Sequence, residues 1–118
     1  MANEITASAS LAASKNGGSV NLATNLVASM AGNICAQNTQ LATTSSALIT
    51  NLPATAAYLY LRNLDATNYI EIALDSGNTQ KIAKLLPGQF MIYPPSTTTV
   101  YCKANTASCL LQSGAAEL

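Results

Sequence analysis

A chain of 118 residues has room for one ordinary domain and none for a second of usual size. Its 49% apolar residues suffice for a compact core, but only 8% are charged, five basic against five acidic, with no His and no Trp, where an average soluble domain carries roughly 25% charge. That composition excludes a nucleic-acid binder working by phosphate neutralisation, which needs a basic patch, and it excludes His-containing zinc sites and His-based nucleophilic triads. No window approaches the roughly 18 consecutive apolar residues of a membrane helix, the longest apolar run being 56–61. Met1-Ala2-Asn3-Glu4 carries an acid and no base, so it lacks the basic n-region of a secretory leader, and synthesis in a cytosol without export is expected. No charged side chain occurs from Asn16 to Leu61. So little charge, balanced to zero, weakens colloidal repulsion and predicts self-association.

Ser, Thr and Asn compete with helix formation by bonding their own backbone, and period-two alternation is the recurring pattern. Residues 5–13 form the first expected strand. Val20–Met30 also fits a helical stripe through Val20, Ala23, Val27 and Met30, but Asn21, Thr24 and Asn25 in mid-segment favour a strand. Gly17-Gly18 before it and Gly32-Asn33 after it are turn punctuation. A strand over 34–43 follows. Strands 58–62 and 69–74 are joined by the Asn- and Asp-bounded segment 63–68, whose side chains suit a turn. Ser76-Gly77-Asn78 reverses the chain into 81–86. Pro87-Gly88 then carries the type II signature, and because such turns splay tight hairpins it also suits a corner between sheets. Strand 89–93 ends at Pro94-Pro95, neither of which can donate to a ladder. The last pair, 98–104 and 108–112, flanks Asn105-Thr106-Ala107. Strands at roughly 8–12-residue spacing mark a sandwich or barrel.

Candidate chemistry is sparse. A two-residue turn at Asn105-Thr106 would set Cys102 opposite Cys109 with Cα atoms ~5.5 Å apart, within disulfide range. Cytosolic synthesis and three cysteines favour half-buried thiols instead. No Cys-x-x-Cys knuckle supports a metal site. Asp65, Glu71 and Asp75 lie close in sequence, but the two Asp residues sit in turns where Asp is expected for conformational reasons, and EF-hand spacing is absent. No catalytic set and no cofactor are expected. Tyr58 and Tyr60 share one strand face, which would suit a sugar- or protein-binding platform; the favoured expectation for a small β core is that the rings fill it, with hydroxyls at the rim.

The run Tyr58-Leu59-Tyr60-Leu61-Arg62-Asn63-Leu64-Asp65-Ala66-Thr67-Asn68-Tyr69-Ile70-Glu71-Ile72, followed by Lys84-Leu85-Leu86-Pro87-Gly88-Gln89-Phe90, resembles small virion proteins of tailed bacteriophages. In those a Leu-Arg/Lys-Asn-Leu-Asp-x-Thr-Asn-Tyr hairpin precedes a Lys-Leu-x-Pro-Gly-Glu turn. The likeness covers the second half of the chain, and Gln89 stands where the pattern often has Glu. It implies a β-sandwich decoration, head-fibre or tail-associated component, located in the virion after assembly in the host cytoplasm. The partners it implies are the major capsid protein or other virion proteins.

Together these readings predict an all-β chain: a single sandwich or jelly-roll-like domain of about eight antiparallel strands spanning 1–118, with short arms at 1–10 and 113–118. The expected role is capsid cement or decoration. A tail, collar or fibre component, or a carbohydrate-binding β module, is the alternative. The expected partners include the chain itself, a trimer foremost, and neither nucleic acid nor membrane. Tyr58, Tyr60, Asn63, Asp65, Asn68, Pro87 and Gly88 are the candidate interaction or structural residues.

Overall fold

Asn16 and Gly17 both adopt positive φ, 53° and 85°, as the type I′ turn of a two-residue hairpin requires. They join β1 (Ile5–Lys15) to β2 (Gly18–Ala28) in an unbroken antiparallel ladder from Lys15↔Gly18 to Ile5↔Ala28. Alternation puts the odd-numbered residues of β1 and the even-numbered residues of β2 on one face. On that face stand Ile5, Ala7, Ala9, Leu11 and Ala13 from β1, and Val20, Leu22, Thr24, Leu26 and Ala28 from β2. The other face is mostly Ser, Thr and Asn. Glu4 accepts a hydrogen bond from the Met30 N–H (2.8 Å) across the hairpin's base.

The structure is a computed structural model that describes residues 4–117. These divide after Ala31 into two compact units, the hairpin and an eight-stranded sandwich, where the sequence suggests one. The strands of the sandwich are β3 (Cys35–Ala42), β4 (Ala47–Leu48), β5 (Tyr58–Asn63), β6 (Ile70–Ala73), β7 (Lys81–Leu85), β8 (Phe90–Tyr93), β9 (Tyr101–Ala104) and β10 (Cys109–Ala116). They form two antiparallel sheets of order β3-β10-β5-β8 and β4-β9-β6-β7. Only β6 and β7 are successive strands of one sheet; every other connection crosses over. Numbered within the sandwich, the orders are 1-8-3-6 and 2-7-4-5, which is a jelly roll. The chain is all-β, as its composition and alternation predict.

Inward residues from both sheets make one core. Leu59, Leu61 and Leu111 meet Ile70, Ile72, Cys102 and Ala104, all fully buried, with Val100 and Ile49 closing it. Each buried Leu or Ile contributes about 1.5–3 kcal/mol. Two expectations fail here. Segments 63–68 and 105–107 are not hairpin turns: each carries the chain from one sheet to the other, so Cys102 on β9 and Cys109 on β10 belong to different sheets and are not bridged.

The terminal arms fail too. Ile5–Ser10 belongs to β1, leaving 1–3 outside the described residues. Ser113–Ala116 completes β10, which lies between β3 and β5. Ser113, Gly114, Ala115 and Ala116 read as an arm because they are small, but small residues suit a central strand with a tyrosine across from it. Glu117 extends the attachment: its N–H donates to the Ile34 carbonyl (2.8 Å), and its carboxylate accepts from the N–H groups of Asn33 (2.8 Å) and Ile34 (3.1 Å).

Candidate functional site: an uncharged outer sheet face

Five of the seven candidate residues gather at one corner and serve the fold. Asn63 ends β5 with its side chain fully buried. Its Nδ2 donates to the carbonyls of Asn68 (2.8 Å) and Leu85 (2.9 Å), and its Oδ1 accepts from the Asp65 N–H (2.8 Å). Asp65 accepts from the N–H groups of Asn68 (2.7 Å) and Thr67 (2.9 Å). Those bonds, the Asn68 one foremost, hold its carboxyl below the ordinary value of 3.8. Asn68 accepts the Thr106 hydroxyl (2.9 Å), tying this crossing to the β9–β10 crossing.

Pro87-Gly88 completes the corner. The Gln89 N–H donates to the Leu86 carbonyl (2.9 Å) and Gly88 has φ 79°, as a type II turn requires. The Gly88 N–H also donates to the Asn63 carbonyl (3.0 Å). Gln89 Oε1 accepts from the Leu86 N–H (2.9 Å), a role needing an acceptor and no charge. Both quoted sequence runs therefore meet in space, and their polar residues stitch a turn.

Tyr58 and Tyr60 behave differently. They alternate with the buried Leu59 and Leu61, so they face outward on the β3-β10-β5-β8 sheet and are not core rings. Tyr69 and Tyr101, alternating with buried Ile70 and Cys102, face out from the other sheet. Tyr93 alone among the five packs against the core, where burial raises its hydroxyl's pKa.

The register lays out the outer face in rows. Leu41 stands beside Leu110. The next row reads Thr39, Gln112, Arg62, Phe90, and the next Gln37, Gly114, Tyr60, Ile92. Tyr60 and Phe90 stack across strands with ring centroids 6.3 Å apart and planes 19° apart. Gly114, lacking a side chain beside Tyr60, leaves a depression of about 350 Å³ lined also by Ala36, Gln37, Gln112 and Ser113. Phe90 (62% exposed), Leu41 (54%) and Leu110 (49%) stand out into solvent, and Arg62 is the one charge in these rows.

The opposite outer face is charged. Glu71 pairs in register with Lys84 and Lys103 and accepts the Lys81 ammonium (3.2 Å), while the Lys84 ammonium lies 4.2 Å over the Tyr69 ring.

Among the described residues no group of three or more Cys, Asp or Glu is placed to hold a metal ion. Asp75 caps its own turn: the Thr79 hydroxyl (2.6 Å) and the Gln80 N–H (2.8 Å) donate to it, and these bonds lower its carboxyl pKa. Burial pushes the Cys102 thiol up to about 11. The Cys109 thiol is also raised, first by burial and then by the negative charge of Asp65.

Sequence reasoning finds Tyr58 and Tyr60 but misses Phe90, Gln37, Gln112 and Gly114. Their neighbourhood exists only once the crossovers bring β3, β10, β5 and β8 together. Comparison with family models, with curated proteins and with solved structures gives no match.

Proposed function

We propose that this chain is a virion structural protein of a tailed phage, a capsid cement or decoration protein that attaches to the assembled head. The observation that carries this reading is the outer face of the β3-β10-β5-β8 sheet, where exposed Leu41, Leu110 and Phe90 and the Tyr60 ring share a surface with one charge. Scattered exposed apolar side chains are ordinary, but grouped on one sheet they mark a contact surface. The jelly roll, an architecture used by capsid and lectin domains, and the resemblance at 58–72 and 84–90 point the same way. Fold alone does not assign function. Such a protein acts by mass action: it binds the closed shell and not free subunits, so it stabilises the shell by the summed binding energy, and attachment at several linked sites raises effective affinity.

The test is co-sedimentation with emptied heads of the same phage. Stoichiometric retention, abolished by Phe90→Glu and preserved by Lys84→Glu, supports this reading. No retention, or retention by fibres or tails alone, rejects cement and points to the tail, collar or fibre alternative.

The Tyr60–Phe90 stack beside amides and a depression favours a second reading, a carbohydrate platform. A Cβ at position 114 would meet the Ala36 carbonyl at 3.7 Å, an ordinary contact, so Gly114→Ala raises the floor of the depression beside Tyr60 without disturbing the strand. Glycan binding that is lost in Gly114→Ala and Tyr60→Ala, with shells not retained, would establish this reading instead.

A further inference from the structure

The β1–β2 hairpin has two features that a lone hairpin in water does not sustain. The first is an apolar face open to solvent beyond its base: Ile5 and Ala7 are buried, but Leu11 is 60% exposed, Leu22 68% and Leu26 49%. The second is a pair of open edges, since among the described residues this sheet has two strands. With a two-residue turn, Lys15 and Gly18 form a hydrogen-bonded pair, and the pairing type then alternates along the ladder. The N–H groups of Ser8, Ser10 and Ala12 therefore point away from β2, and those of Asn21, Ala23 and Asn25 point away from β1. No Pro, bulge or mid-strand charge blunts either edge, though natural edges are commonly protected in one of these ways. Two-stranded hairpins are marginal at best without further strands or packing.

We propose that three copies of this chain close their hairpins into a six-stranded antiparallel barrel with the apolar faces inside. Two copies stacked face to face would cover the leucines and leave four edges open. Around a three-fold axis the strands alternate in direction, so β2 of each copy meets β1 of the next antiparallel and no edge remains.

Side-chain size fits three and not four. Eight strands enclose an interior that ordinary side chains just fill, and six enclose less. Of the ten inward positions Ala7, Ala9, Ala13, Thr24 and Ala28 are small, which suits the narrower six-stranded interior, while Leu11 stands directly across from Leu22 as its widest layer. The hairpin's charges lie at its ends, Glu4 before β1 and Lys15 beside the turn, which leaves a charged partner nothing to pair with along the strands. Lipid would leave the open edges unsatisfied. This inference rests on the hairpin alone and holds whatever particle the protein serves.

Sedimentation equilibrium of the full chain at tens of micromolar is expected to give three times the 12.1 kDa chain mass. Leu22→Glu, on the inner face, is expected to give monomer, and Asn21→Glu, on the outer face, to remain trimeric. Because Leu22→Glu could also disorder the hairpin, residue-resolved hydrogen exchange on the unaltered protein provides a separate reading. Slow exchange at Ser8, Ser10, Ala12, Asn21, Ala23 and Asn25 shows the edges paired. A monomer, a trimer that survives Leu22→Glu, or fast exchange at those amides overturns the proposal.

Discussion

Asn63 is buried away from water, so its amide must find every partner within the protein, and it does so from the 63–68 crossing and from the end of β7. Its backbone meanwhile pairs with Gly88 and Gln89. One residue, by side chain and backbone together, thus couples the Pro87-Gly88 turn to the 63–68 crossing. At Gly88 the constraint is backbone alone: φ is 79° with open space where a Cβ would stand, so conformation sets the cost of any substitution. Gly88→Val should lower stability by more than about 1 kcal/mol, because a β-branched residue is strongly disfavoured there; chemical denaturation checks this. Asp65 and Asp75 make a second residue-scale prediction. Their folded pKa values lie below the ordinary 3.8, so the stability they contribute is complete above that value and is lost as pH falls through the folded values. The melting temperature should hold level from neutral to about pH 5 and fall below pH 3.8. The variant Asp65→Asn/Asp75→Asn should show a shallower acid limb.

At the scale of elements, the separation of β9 from β10 makes a chemical prediction. Cys102 and Cys109 are buried with raised pKa values, whereas Cys35 is exposed on β3. Alkylation of native protein at pH 8 should therefore modify Cys35 alone, and all three cysteines should react after denaturation. A native Cys102–Cys109 bridge would leave one reactive thiol after denaturation without reductant.

Most strands were legible because alternation is local: 58–62, 69–74, 81–86 and 89–93 all match within two residues. Pro87-Gly88 was legible because type II geometry has a residue code. Asn16-Gly17, the strongest hairpin signal in the chain, overlaps the Gly17-Gly18 turn signal, which by itself marks a turn without fixing its type. The pairing was not legible. Proximity in sequence suggested hairpins at 63–68 and 105–107, but a jelly roll sends the chain across the core at both, and no local residue pattern separates a crossing from a reversal. Strand β4, two residues long, is too short to show alternation, and 113–116 offered no large side chain to mark an inner face.

For the whole molecule, net charge hides a division between the two outer faces of the sandwich. One presents Lys81, Lys84 and Lys103 around Glu71, while the mapped rows of the other hold Arg62 alone. If attachment uses the neutral face, retention on shells should change little between low and high salt, since no ion pairs are there to screen. A steep loss with added salt would move the contact to the lysine face.

The place of β10 also governs the order of folding. Strand β10, Cys109–Ala116, follows β3 and β5 in the chain yet lies between them, so β3 and one edge of β5 wait unpaired until these residues have left the ribosome. Until then one sheet is split into β3 and a β5–β8 pair with open ladders. Its completion is a late, long-range event, slow in the way of folds dominated by non-local pairing, and the waiting edges are exposed to aggregation. Removing residues 113–117 would take away the middle of a sheet and not its fringe, leaving a chain unable to finish folding.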